Sequence, residues 1–278
     1  MTVERFYSLL LEEIKDHPKL REYYRFLNYR FLSSFRKTYF CQRLQYILDQ
    51  VKGYSQKLNG NLPVIWDCGC GYATTQIYLA LNGFPSTGST LEFYYQELPK
   101  RFHYWSQYGN MELVQVHYED IFEKQIADNS LDIIIVQDTL HHLEPLQESL
   151  QLFKRALKPG GMLIAIEENG NNLIQNAKLF LKRGNKRIIH YWDEKLQKSI
   201  TMGNENIRPW KKWKEAFEKV GLQPDAESLH YIRFFLPFVY LFLKEEKVVE
   251  LEQKVARSSP FLREYFFFGI NFVVRKPS

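Results

Sequence analysis

Apolar residues recur at helical spacing near the start of the chain. Phe6, Leu9, Leu10 and Ile14 share one face, and Leu44, Ile47, Leu48 and Val51 share another before the breaker NGNLP. The spacing predicts helices through residues 4–58, an N-terminal helical cap of about 60 residues on the domain that follows. From residue 62 the pattern changes to short β-branched or aliphatic runs separated by amphipathic stretches. LPVIWD, PSTGSTL and LDIIIVQ are predicted strands that each lead into a helix, and MELVQVH is one that leads into a connection. Such alternation predicts a parallel sheet covered on both faces. A helix over 145–157 ends at LKPGG, where Pro159 stops it and the glycines turn the chain into MLIAIEE. Another over 209–220 opens with Pro209, stops at Gly221 and leads to a strand near 222–230. GINFVVRKP is the last strand. The count is seven, with inserts at 169–208 and 231–265 in a domain running from 61 to 278.

A chain of 278 residues with 45% apolar content can bury the core of one elaborated domain. The net charge of +5 comes from interspersed residues and does not by itself mark a nucleic-acid binder. Cys41, Cys68 and Cys70 are an odd set, which fits a reducing cytoplasm better than a disulfide framework. The N-terminal stretch has no signal-peptide pattern, and the longest apolar run, Phe234 to Leu243, is far short of the roughly 20 residues that cross a bilayer. A cytoplasmic protein without a transmembrane span is expected, with peripheral membrane contact left open.

The stretch VIWDCGCGYATTQ raises the chemical question. Gly69 and Gly71 leave the main chain bare at the end of a strand, where a ligand can approach it. A dinucleotide fingerprint would want a third glycine at Thr74, and Asp67 has the wrong sign for a pyrophosphate. A ligand carrying an ammonium beside a carboxylate suits that acid better, and S-adenosylmethionine (SAM) carries both.

Three landmarks then carry a resemblance. DCGCG resembles the D/ExGxG motif of class I SAM-dependent methyltransferases, YEDIFEKQIADNSLDIIIVQDTLHHL is similar to that family's stretch from the adenine-binding acid to the fourth strand, and LKPGG precedes an apolar strand. The resemblance runs from about residue 62 to 168. It implies a three-layer αβα sandwich with a mostly parallel seven-stranded sheet, and SAM as cofactor with S-adenosylhomocysteine as its product. It also implies that Asp67, Gly69, Cys70 and Gly71 hold the methionine moiety, with Gln137 touching the same end. Asp120 would accept from the adenine amino group and Ile121 would offer its backbone N–H to the ring. The family's ribose-binding acid is replaced by Thr90, and Glu92 would supply the missing carboxylate. Arg30 or Arg36 would reach the SAM carboxylate.

Methyl transfer is an in-line displacement, so alignment and exclusion of water come first, and a base is needed only for an acceptor that must lose a proton. His141, His142 and Asp138 are the candidates for that role. No metal site is expected, since Cys68 and Cys70 lack a second pair and HExxH is absent. The DPPY signature of amino-group methylation is also missing, and oxygen is the expected acceptor atom. The aromatic run YIRFFLPFVYLFL in the second insert and the later EYFFFG, with His190, Tyr191 and Trp192 in the first insert, suggest a lid over a small lipophilic or aromatic acceptor. The same aromatics could serve a homodimer contact. An RNA substrate gripped by REYYRFLNYRFLSSFRKTYF, or a catalytically silent binding subunit, are the alternatives.

Overall fold

The computed structural model describes residues 1–27 and 33–278, with all their side chains except those of Glu92 and Phe93. The chain begins with α1 (Val3–Asp16), α2 (Pro18–Tyr24) and α3 (Ser33–Ser55). Then come β1 (Ile65–Cys68), α4 (Thr74–Ala80), β2 (Ser86–Thr90), α5 (Glu92–Tyr95), α6 (Leu98–Trp105), β3 (Val114–Tyr118), β4 (Leu131–Gln137), α7 (Leu146–Ala156) and β5 (Leu157–Glu168). The rest is α8 (Leu173–Arg183), β6 (Ile188–Asp193), β7 (Lys198–Gly203), α9 (Trp210–Lys219), β8 (Gln223–Ile232), α10 (Glu245–Ser258), α11 (Pro260–Phe266) and β9 (Gly269–Arg275).

The main sheet has the order β3-β2-β1-β4-β5-β9-β8. The first five strands run parallel, and β9 is antiparallel to both its neighbours. The seven expected strands are these seven. Period-two patterning sorts their side chains between two cores. Ile65, Ile133, Ile135, Ile164 and Val273 face α1, α3, α4 and α6, whereas Trp66, Ile134, Val136, Leu163 and Phe272 face α7 and α9. Both faces are buried, which is why the strands read as nearly continuous apolar runs. The N-terminal helices are built into the first core through Phe6, Leu10, Leu44 and Val51.

The first insert holds a feature that periodicity did not reveal: β6 and β7 pair as a separate two-stranded hairpin. Its residues are mostly polar or half-exposed on both sides, so no clean alternation marks it. Among the described residues no helix is long and apolar enough to cross a membrane. The Phe234–Leu243 run forms instead a 3₁₀ turn at Pro237–Leu241, with Phe238 and Phe242 exposed.

Candidate functional site

The sheet order reverses at β1, between β2 and β4, and open α/β sheets bind ligands in the crevice beyond such a switch point. A cavity of about 920 Å³ opens there. Its floor is the loop after β1 with the tips of β2, β3 and β4. Its walls are aromatic side chains from the N-terminal helices, including Tyr23, Tyr24, Tyr39 and Phe40, and its far side is Ile189, Tyr191, Ile200 and Met202 of the hairpin.

Asp67 is only 2% exposed, and its Oδ2 has no hydrogen-bond partner. Burial with nothing to compensate it pushes the carboxyl up to about 7. A cation brought against such a carboxyl would favour its ionised form. The following loop is shaped by Gly69 at φ +79° and Gly71 at φ +52°, and is pinned by Gly69 N and Cys70 N, which donate to Ser89 O at 3.1 and 2.9 Å. A Cβ at Gly69 would stand 2.5 Å from Thr139 Cγ2, so the loop closes on β4 only with glycine there; at Gly71 a Cβ would meet nothing within 4 Å, on the side open to a ligand. Thr90 Oγ1 donates to Gly71 O at 3.1 Å and so holds the loop's rim. Gln137 Oε1 accepts from Thr75 Oγ1 at 3.0 Å.

At the other end of the floor, Asp120 Oδ1 accepts from Phe122 N at 3.0 Å and Oδ2 pairs with Lys198 Nζ at 2.6 Å. Two carboxylate oxygens have about four acceptor positions, so room remains for one more donor. Ile121 lines the same corner, together with Glu119, an acid the sequence reading passed over although it directly precedes Asp120. Glu119 Oε1 accepts from Ser89 Oγ at 2.6 Å.

With this geometry in place, comparison with known proteins is direct. Residues 66–165 match a protein family described as a methyltransferase domain. Over that stretch the chain is similar to a methyltransferase domain.

A stretch of 99 residues is 31% identical to part of the highly reducing polyketide synthase aurA of Calcarisporium arbuscula, covering 34% of this chain and 3% of the synthase. The chain thus matches only a small fraction of that relative's length. Among solved structures, the fold is similar to that of a SAM-dependent methyltransferase from Methanosarcina mazei, with a TM-score of 0.52, 16% identity and coverage of 78% of this chain and 93% of that one. It is also similar to a geranyl diphosphate methyltransferase in complex with GPP and sinefungin, with a TM-score of 0.53, 14% identity and coverage of 82% and 77%.

SAM is the donor that the methyltransferase match points to, and the residues of this site fit it. The orphaned Asp67 oxygen suits an ammonium, the bare side of Gly71 admits a ligand against the main chain, and Asp120 and Ile121 close the far end. Arg36 lines the cavity and donates to Arg25 O. Arg30 lies outside the described residues, as does the side chain of Glu92, although the backbone at Glu92 opens α5.

Beside the loop, the residue following β4 is Asp138, at φ +51°. Its carboxylate accepts from Arg43 of α3, a buried guanidinium stacked over Tyr39 at 4.8 Å. Arg233 covers the same ring at 4.8 Å. Next in the chain, buried Glu167 organises a 3₁₀ turn: Oε1 accepts from Leu140 N at 2.7 Å and Thr139 N at 3.2 Å, and Oε2 contacts His141 Nδ1 at 2.5 Å. Burial depresses the His141 imidazolium, but the Glu167 carboxylate outweighs it and lifts the group to about 9. His142 goes the other way, lowered by burial and by the neighbouring His141. Its Nδ1 donates to Gly203 O at 2.8 Å, so a neutral ring keeps its lone pair on Nε2. Glu205, at the end of the hairpin, completes this corner with its carboxylate 3.7 Å from His141 Nε2.

All three expected catalytic residues, His141, His142 and Asp138, therefore line one cavity with the expected donor-binding residues whose side chains are described. Two expectations about the lid need correction. None of the described residues of the second insert lines the cavity. Tyr231 and Phe234 instead pack on Phe267 at 6.0 and 5.0 Å, and Tyr240 backs Phe35 at 5.4 Å, so this insert supports the wall from behind. In the first insert, strand alternation points Ile189 and Tyr191 inward, while His190 and Trp192 face away. Arg43, Glu167 and Glu205 were not found from sequence, because each comes from a different element and no local spacing connects them.

Proposed function

We propose that this chain transfers a methyl group from SAM to an oxygen of a small lipophilic or aromatic molecule in the cytoplasm. The observation that carries the reading is the unpartnered, buried Asp67 carboxylate at the floor of an aromatic cavity. SAM would supply an electrophilic methyl on a sulfonium. Asp67 and the Gly69–Gly71 loop would take the methionine end, with Gln137 beside them, and Asp120, Ile121 and the Thr90 rim would take the nucleoside. Tyr23, Tyr24, Tyr39 and Phe40 would hold a flat or apolar acceptor and exclude water, which leaves in-line alignment as the protein's main contribution. The acceptor's hydroxyl would meet the His141–His142–Glu205 corner, whose residues line the same cavity as the donor loop.

The RNA reading loses support, because Tyr24, Phe26 and Phe40 of that segment pack on one another at 5.0 to 6.2 Å and line the cavity. They are turned inward, away from any phosphate backbone. Calorimetry with SAM and S-adenosylhomocysteine, followed by a mass-shift screen over phenolic and prenylated alcohols, tests the reading. A gain of 14 mass units on such an acceptor is expected. Failure of both nucleosides to bind at millimolar concentration would leave a silent binding subunit as the better account.

A further inference from the structure

We propose that His141, His142 and Glu205 form a binding site for one divalent transition-metal ion at the acceptor end of the cavity. One ligand-type atom from each of the three lies within 4.8 Å of the others, and all three residues line the cavity.

The surroundings prepare both imidazoles for this role. His141 Nδ1 faces Glu167 Oε2 at 2.5 Å and His142 Nδ1 faces Gly203 O at 2.8 Å. An oxygen acceptor on one ring nitrogen is the arrangement that metal-binding histidines show, because it fixes the ring's orientation; the other nitrogen of His142 keeps its lone pair, and that of His141 would give up its proton as the ion binds. Glu167 is itself held by the Thr139 and Leu140 amides, so the His141 ring is fixed from two levels down.

The third ligand is placed with similar care. Asn206 N donates to His141 O at 3.2 Å, which ties the loop carrying Glu205 to the turn carrying the histidines. A Cβ at Gly203 would overlap that same His141 carbonyl, so the close approach of hairpin and turn requires glycine. Glu205 sits at φ +53°, a conformation unfavourable for a non-glycine residue, and its carbonyl accepts from Arg183 Nη2 at 3.1 Å and from Ile207 N at 2.8 Å. Its side chain remains 32% exposed and can move. Closing on an ion would draw the donors to about 3–3.5 Å apart, as metal–ligand distances of roughly 2.0–2.2 Å require.

Two nitrogens and one carboxylate favour Zn²⁺, Co²⁺, Fe²⁺ or Mn²⁺ over the oxygen-seeking Mg²⁺ and Ca²⁺, and three protein ligands leave positions for a further oxygen. This deepens the proposed function and rests on it for the ion's purpose. The acceptor hydroxyl would occupy an open position and lose its O–H proton to water. Its oxygen would then form the bond to the methyl carbon while the carbon–sulfur bond breaks, with the electron pair passing to sulfur. A base at His142 would then be unnecessary.

The test is binding, read without turnover. The full chain, stripped with a chelator, is titrated with Co²⁺ and followed by its visible d–d absorption, with Zn²⁺ as competitor and SAM calorimetry as the control for a folded donor site. One ion per chain at micromolar or better affinity is expected, with a loss of at least tenfold in Glu205→Gln and His142→Gln, and of about 10- to 100-fold in Glu167→Gln. Uptake by the parent protein no stronger than by Glu205→Gln, with SAM still bound, would overturn the metal site and leave the methyltransferase reading standing. Tight uptake of the ion by a chain that binds no SAM would do the reverse.

Discussion

Arg101 of α6 holds Glu13 of α1 in a fully buried two-point pair, at 2.8 Å from Nε to Oε1 and 2.7 Å from Nη2 to Oε2. Trp105 Nε1 donates to the same carboxylate at 2.9 Å, and Arg101 Nη1 donates onward to Thr74 Oγ1 at 2.8 Å. The N-terminal helices are thereby fastened to the first residue of α4, immediately beyond the donor loop. Removing one partner from such a pair strands a buried charge. Glu13→Gln is expected to lower stability by about 3–5 kcal/mol in urea denaturation, and to weaken SAM binding at temperatures where the protein remains folded.

Asp67 predicts a pH dependence whose sign can be worked out. Its carboxyl lies near 7 in the folded protein and near 3.9 when unfolded, so the folded state binds the extra proton, and the stability of the free protein falls as pH rises from about 4 to 7. SAM should pair with the ionised form. Its affinity is expected to rise about tenfold per pH unit between pH 5 and 7 and to level off above, as read by calorimetry. Asp67→Asn should lose that slope and most of the affinity, yet melt higher than the parent protein at pH 8.

Gly69 and Gly71 are expected to separate folding from binding. Gly69→Ala drives a Cβ into Thr139 at a left-handed φ, and is expected to cost about 1–3 kcal/mol of stability. At Gly71 the added methyl meets open space, so Gly71→Ala should cost only about 1 kcal/mol while reducing SAM affinity through the crowded approach. Paired melting curves and titrations distinguish the two effects.

The hairpin offers a matched pair of another kind. Tyr191 lines the cavity and Trp192 faces away from it. Tyr191→Ala is expected to raise KM for the acceptor severalfold, whereas Trp192→Ala should leave it within about twofold. Equal effects would show that the acceptor does not lie against β6.

Where neighbours in sequence are also neighbours in the site, the sequence was informative. Short apolar runs between breakers and amphipathic stretches marked the strands of the main sheet, and Asp67, Gly69 and Gly71 announced a ligand loop from a single pentapeptide. The corner around His141 was opaque because His141, Glu167 and Glu205 meet only after β4, β5 and the hairpin have been laid side by side. The aromatic density of residues 231–243 was misleading for a different reason. Apolar content records the tendency to be covered, and Phe234 on Phe267 satisfies it behind the wall as well as a ligand would in front.

The β6–β7 ribbon has a consequence for binding. Lys198 ties it to Asp120 at one end of the chamber, and Gly203 ties it to His142 at the other. Whichever molecule arrives first stiffens a strip that its co-substrate must also touch, so the second meets a surface already short of conformational freedom. Mutual reinforcement between the two ligands, whichever is bound first, is the behaviour such a shared strap is expected to give.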